Sequence, residues 1–195
     1  MDALRKNCLK VIGIDPGSRF TGFGIINVKP NGYDVIDYGV LRIKPEPFHI
    51  RLLQIYEELS EIIQTHQPDV MSIEQVFVAN NPGSALKLGQ ARGAALLAGA
   101  SAGLPVEEYT ALQIKKAIAG YGHATKEQMQ QMIMLLLGLP KIPQADAADA
   151  LSIALCHGQA HKVVGNTQNA LDQLMKETNN QALAYRGGRL RRRRR

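Results

Sequence analysis

Apolar side chains recur along this chain with two different periods, and the switch between them lays out an architecture. Residues 9–15, 20–28 and 33–43 are rich in β-branched and aromatic side chains and read as three consecutive strands. The Lys29-Pro30-Asn31-Gly32 turn separates the second from the third, with Asn-Gly as its strongest element, and Pro45 and Pro47 end this opening meander. The period then changes. Over residues 49–66, Leu52, Ile55, Tyr56, Leu59, Ile62 and Ile63 recur at spacings of three and four while Glu57, Glu58 and Glu61 take the outer side, which predicts an amphipathic helix. Gln67-Pro68-Asp69 breaks it, and Val70-Met71-Ser72-Ile73-Glu74 predicts a short central strand.

The second half alternates more quickly. Residues 75–81 form a loop candidate carrying Val76, Phe77 and Val78; Asn81 or Ser84 can then cap a helix whose first turn tolerates Pro82 and which runs to about Gly103. The many small residues of this helix suit close packing on a sheet or a dimer seam. Residues 104–109 predict a further strand, and Thr110-Ala111-Leu112-Gln113 and Thr125-Lys126-Glu127-Gln128 both have capping-box spacing and open two more helices. Gly138 and Pro140 end the second of these. A last helix is expected over Pro143-Gln144-Ala145-Asp146-Ala147-Ala148-Asp149-Ala150, with apolar residues continuing beyond it. Low apolar density past about Val164 places the end of the compact domain there, giving residues 1–164 as one α/β domain and 165–195 as a polar, basic tail expected to be disordered.

Against this pattern the acids stand out. Asp15 ends the first strand and enters Asp15-Pro16-Gly17 turn chemistry, with glycines at 22 and 24 opposite; Glu74 ends the central strand. Asp146 and Asp149 sit three apart near the start of an alanine-rich helix, so both project from one face, where the helix dipole would help to keep them ionised. Acids at such apolar positions call for cations. An all-oxygen ligand set selects a hard ion, magnesium or manganese, and carboxylates gathered around two such ions are a device for cleaving phosphodiesters.

Composition narrows the picture in three ways. At 195 residues the chain fits one domain, and its apolar stretches are too short to span a bilayer, which together with the absence of a signal sequence suggests the cytoplasm. Cys8 and Cys156 have no metal-ligand spacing and read as reduced packing residues. The net charge of +6 is a tail effect, because seven of the 23 Lys and Arg lie within residues 186–195, leaving 16 basic against 17 acidic residues before it. Such a tail is attracted to any polyanion. The five histidines are scattered, with His123 the best placed for chemistry because it lies in a glycine-rich loop.

Four motifs together carry a resemblance. Ile12-Gly13-Ile14-Asp15-Pro16-Gly17-Ser18-Arg19 with Thr21-Gly22, then Ile73-Glu74-Gln75-Val76-Phe77, then Ser84-Ala85-Leu86-Lys87-Leu88-Gly89-Gln90-Ala91-Arg92-Gly93, then Gln144-Ala145-Asp146-Ala147-Ala148-Asp149-Ala150 resemble, in order and spacing, the RuvC family of bacterial Holliday-junction resolvases, over about residues 9–160. The resemblance implies an RNase H-like fold, a five-stranded mixed β-sheet flanked by helices, acting as a homodimer that nicks two strands of a four-way DNA junction symmetrically in recombination and repair. It implies Asp15, Glu74, Asp146 and Asp149 as ligands of two Mg2+ ions, Phe77 as a residue that stacks at the junction centre, and Lys115 and Lys126 as phosphate contacts. Arg19, Lys87 and Arg92 are further DNA-contact candidates, and a RuvAB-type branch-migration complex is the implied partner. Position 80 is Asn where the family pattern has Lys.

Two rival classes share part of this pattern. The Gly13 to Gly22 segment also resembles the first phosphate hairpin of sugar-kinase and actin-like ATPases, but those need a second similar domain for which there is no room. A junction-binding protein without cutting activity is the other; the presence of all four acids argues against it. A less selective nuclease on the same fold is the remaining alternative.

Overall fold

A computed structural model of the chain describes residues 8–76 and 81–164. Phe77 and Asn80, and the tail expected at 165–195, lie outside the described residues. Five strands form one mixed sheet in the order β3-β2-β1-β4-β5. β1 (Leu9–Asp15), β2 (Phe20–Lys29) and β3 (Gly32–Arg42) make the antiparallel meander, and β4 (Val70–Glu74) and β5 (Val106–Tyr109) add parallel to β1. This mixed order follows from the connections, because tight turns join the first three strands while helical crossovers precede the last two.

The sheet is covered on both faces. Ile12 and Ile14 of β1 face a core shared with Ile55, Leu59 and Ile63 of α1 (Phe48–His66) and with Ala91, Ala95 and Ala98 of α2 (Pro82–Ser101). Val11 faces the other core, formed with Ile114 and Ile118 of α3 (Ala111–Ala119), Met129 and Ile133 of α4 (Lys126–Leu136), and Leu151, Ile153 and Leu155 of a last helix, α5, over residues 145–164. The period-two alternation of β1 therefore sorts neighbouring side chains into opposite cores. Two-sided burial is also why β1 reads as an unbroken apolar run.

The helix starts follow the local chemistry. Thr110 and Thr125 each accept from the backbone of the residue three on, Gln113 and Gln128, and both capping boxes close. Of the two cap candidates for α2 it is Asn81 that accepts from the Ser84 N–H, with Pro82 at the first helical position. Among the described residues no helix is long and apolar enough to cross a membrane. The chain divides into a unit of residues 1–159 and a second of residues 160–195, of which only 160–164 are described.

One expectation is corrected here. Cys156 is buried in the core as a packing residue, but Cys8 is exposed, ahead of the first residue of β1.

Candidate active site

Three of the four acids owe their proximity to glycines. β1 and β2 pair Gly13 with Gly24 and Asp15 with Gly22, so one patch of sheet presents almost no side-chain bulk. The first turns of α5 lie directly on that patch. A Cβ on Gly22 would stand 2.0 Å from the Asp146 carbonyl oxygen, one on Gly13 would stand 2.2 Å from that of Ala150, and one on Gly24 would stand 2.8 Å from Leu151. Any larger residue would lift the helix. With glycine there, Asp146 and Asp149 come down beside the end of β1, while the parallel register of β1 with β4 brings Glu74 alongside.

The turn after Asp15 is fixed separately. The Thr21 hydroxyl donates to the Gly17 carbonyl at 2.8 Å and accepts from the Gly17 N–H at 3.3 Å, while a Cβ at Gly17 would meet the Phe20 carbonyl oxygen at 2.1 Å. The chain therefore leaves the first carboxylate along one defined path.

The result is an open pocket of about 290 Å³ lined by Asp15, Glu74, Asp146 and Asp149 together with Lys115 of α3 and Lys126 of α4, with Ile114, Met129 and Ile153 supplying apolar lining. Its electrostatics are those of a site short of positive charge. Burial, then the charges of Asp149, Glu74 and Asp146, push the Asp15 carboxyl up to about 8, and the Lys126 charge only partly opposes them. Burial and the Asp149 charge raise Glu74 against the pull of Lys126 and Lys115. Asp149 is raised too, by burial first, although Lys126 Nζ lies 4.0 Å away. At Asp149, burial thus works against the helix dipole, which favours the ionised form at this end of α5.

Such a set fits a hard divalent cation. Every donor is a carboxylate oxygen, and added positive charge would relieve the repulsion that raises these groups. Among the described residues no three acidic, imidazole or thiol groups already form a ready-made cage. Side-chain rotation would have to complete a ligand sphere.

The other candidates fall elsewhere. Arg19 is exposed in the β1–β2 turn, where its carbonyl accepts from Ile43 N–H, and Lys87 is exposed on α2. His123 is exposed and does not line the pocket. Arg92 faces inward: its Nε donates to the Glu74 carbonyl at 3.0 Å and its Nη2 lies 2.9 Å from Glu108 Oε2. Reading the residues in sequence missed this inward role, although the helical spacing that puts Arg92 on one face with the buried Ala95 and Gly99 was a signal for it. It also missed the hydrogen bond of 2.9 Å between Tyr109 hydroxyl and His157 Nδ1, which ties β5 to α5 beneath the site.

Comparison with known proteins is consistent with this geometry. The family profile of Crossover junction endodeoxyribonuclease RuvC matches residues 11–157, which include all four acids. The Geobacter sulfurreducens protein of that name is 57% identical over 153 residues, covering 78% of this chain and 93% of its own. A Thermus thermophilus RuvC solved in complex with Holliday junction substrate superposes with a TM-score of 0.75 at 35% identity, over 80% of this chain and 96% of that one. The yeast mitochondrial Holliday junction resolvase, at 14% identity and a TM-score of 0.63 over 85% of this chain and 84% of its own, shares the fold. The same five-stranded sheet, the same order of motifs and a match across most of the chain lead to one conclusion: this protein belongs to the RuvC family of crossover junction endodeoxyribonucleases.

Proposed function

We propose that Asp15, Glu74, Asp146 and Asp149 hold two Mg2+ ions and that the pocket they line cuts DNA strands at four-way junctions. The observation that carries this reading is the convergence of four carboxylates from β1, β4 and α5 on one open pocket with two lysines facing them. The chain belongs to a family of metal-dependent nucleases that resolve Holliday junctions; the ion, its number and the residue roles are our assignment.

When bound, the two ions supply an activated water and stabilise the departing oxygen. The residues of the chain do the rest. Asp15, at the end of a strand held by neighbours on both sides, is the fixed point of the set. Asp146 and Asp149 are set by the seating of α5 on the glycine patch. Lys115 and Lys126 offer ammonium groups to the scissile phosphate; Lys126, with its side chain 78% exposed, is free to follow the strand as it enters. The apolar lining of Ile114, Met129 and Ile153 restricts water and strengthens these charge interactions.

Paired nicks need two such sites. The outward face of α2 supplies a seam for a homodimer: Leu86 and Leu97 are 70% and 57% exposed, and at Gly89 and Gly93 a Cβ would meet nothing. Phe77, three residues beyond Glu74 in the sequence, would enter the junction centre and stack on its bases. A RuvAB-type branch-migration complex and a cytoplasmic setting belong to the same reading.

A synthetic mobile four-way junction and a matched duplex, each incubated with Mg2+ or EDTA, test it on a denaturing gel. Symmetric, metal-dependent nicks confined to the junction are expected. Tight binding without cutting would replace this reading with a binding module, and equal cutting of both substrates with a less selective nuclease.

A further inference from the structure

The guanidinium of Arg92 joins three elements at the base of the site. Its side chain is only 17% exposed, although it projects from α2, and it crosses to the last residue of β4 and to β5. The Nε hydrogen bond to the Glu74 carbonyl is well formed at 3.0 Å. The 2.9 Å approach of Nη2 to Glu108 Oε2 is an ion pair without the alignment of a directed hydrogen bond. On its C-terminal side, Glu74 is followed by Gln75, whose N–H donates to the Tyr109 carbonyl at 2.8 Å. The end of β4 is thereby held by a side chain from α2 and by a main-chain bond to β5.

This environment is wrong for a phosphate contact. A backbone phosphate reaching Arg92 would have to compete with Glu108 and with the Glu74 carbonyl, in a place where the guanidinium is mostly covered; Lys126, at 78% exposure, shows what an available cation looks like in this protein. A fork of donors that meets a carbonyl and a carboxylate at once is what arginine offers and lysine does not. We propose that Arg92, braced by Glu108, is a positioning residue that sets the main chain of Glu74, and with it the placement of that carboxylate, and that it is not a DNA contact. The proposal rests on the reading of Glu74 as a metal ligand.

Four variants separate the possibilities: Arg92→Gln, Arg92→Lys, Glu108→Gln and Glu74→Gln. Each is measured for junction affinity and its salt dependence in EDTA, for Mn2+ affinity of the free protein by calorimetry, for the Mg2+ concentration giving half-maximal single-turnover cutting, and for amide exchange at Gln75. If Arg92 positions Glu74, Arg92→Gln and Glu108→Gln both weaken the metal response about tenfold, the range seen when groups supporting metal ligands are removed. Both also speed exchange at Gln75 while leaving junction affinity within about twofold of the parent. Arg92→Lys, which keeps the charge without the fork, falls between. A DNA contact behaves oppositely: Arg92→Gln loosens the junction and lowers the salt slope by about one, Glu108→Gln tightens it, and metal affinity is unchanged. That pattern, or an unchanged metal response in Glu108→Gln, overturns the proposal. Because Glu108 is 40% exposed and becomes an isosteric neutral group, its variant decides the matter even if Arg92→Gln fails to fold. Glu74→Gln tests the underlying assignment separately, since a variant that still cuts with the parent's metal dependence removes Glu74 from the ligand set whatever Arg92 does.

Discussion

Replacing Asp15 with asparagine is expected to stabilise the metal-free protein while abolishing cutting. In the folded state the Asp15 carboxyl is pushed up to about 8 from an ordinary value of 3.8. A group raised on folding contributes its full stability below the lower value, and that contribution is lost as pH rises through the upper one. At about 1.36 kcal/mol per pH unit, the four-unit interval sets a ceiling of roughly 6 kcal/mol on the loss between pH 4 and pH 8. Rotation of the side chains in an open pocket takes back a good part of this, and we expect a gap of about 2 kcal/mol between parent and variant at pH 8.5, or roughly 4–8 °C in melting temperature for a chain of this size. Asparagine keeps the shape and removes the charge, so the gap should shrink towards pH 5. The assay is thermal unfolding in EDTA at pH 5, 7 and 8.5, repeated with Mg2+. The parent should gain stability from Mg2+ at the higher pH, and the variant should gain far less. Junction binding in EDTA should be close to that of the parent, because Lys115 and Lys126 are untouched. An Asp15→Asn protein that melts below the parent at pH 8.5, or that loses stability with pH just as steeply, would refute the claim that these acids sit in a pocket short of positive charge.

Other consequences can be measured as directly. Gly13→Ala drives a methyl group into the Ala150 carbonyl and should lift α5, costing about 1–3 kcal/mol in chemical denaturation and nearly all cutting; full activity would show that the seat is not needed. Lys126→Met removes the charge that lowers Asp15, Glu74 and Asp149, so the acidic limb of the pH–rate profile should move to higher pH, and an unmoved limb would contradict the coupling. Phe77→Ala should retain metal binding yet lose the fluorescence change of 2-aminopurine placed at the crossover. Deleting residues 186–195 should flatten the salt dependence of junction binding, and an identical slope would deny the arginine run a role in contacting DNA.

Much of this protein was legible in its sequence because the relevant physics is local. The alternation of Val11, Ile12 and Ile14, the Asn-Gly turn, the Thr110 and Thr125 capping boxes and the three-residue spacing of Asp146 and Asp149 each act within a few residues, and the strands and helices they announce are those observed. The order of four acidic and glycine-rich motifs was enough to point to a family. What the chain could not announce is what happens between residues far apart along it. Asp149 reads as an acid favoured by its helix start, and the burial that raises it comes from the packing of the folded chain. Cys8 reads as a packing residue and is exposed, because strand pairing begins one residue later. Arg92 reads as a DNA-contact candidate and turns inward, because only the packing of α2 on the sheet puts a carbonyl and a carboxylate within its reach. The glycines at 13, 22 and 24 were visible as small residues, but their purpose depends on a helix more than a hundred residues away that needs their missing side chains in order to sit down. Desolvation and close packing are properties of where the whole chain goes, and so the sequence named the acids while the tertiary structure decided that they share one pocket.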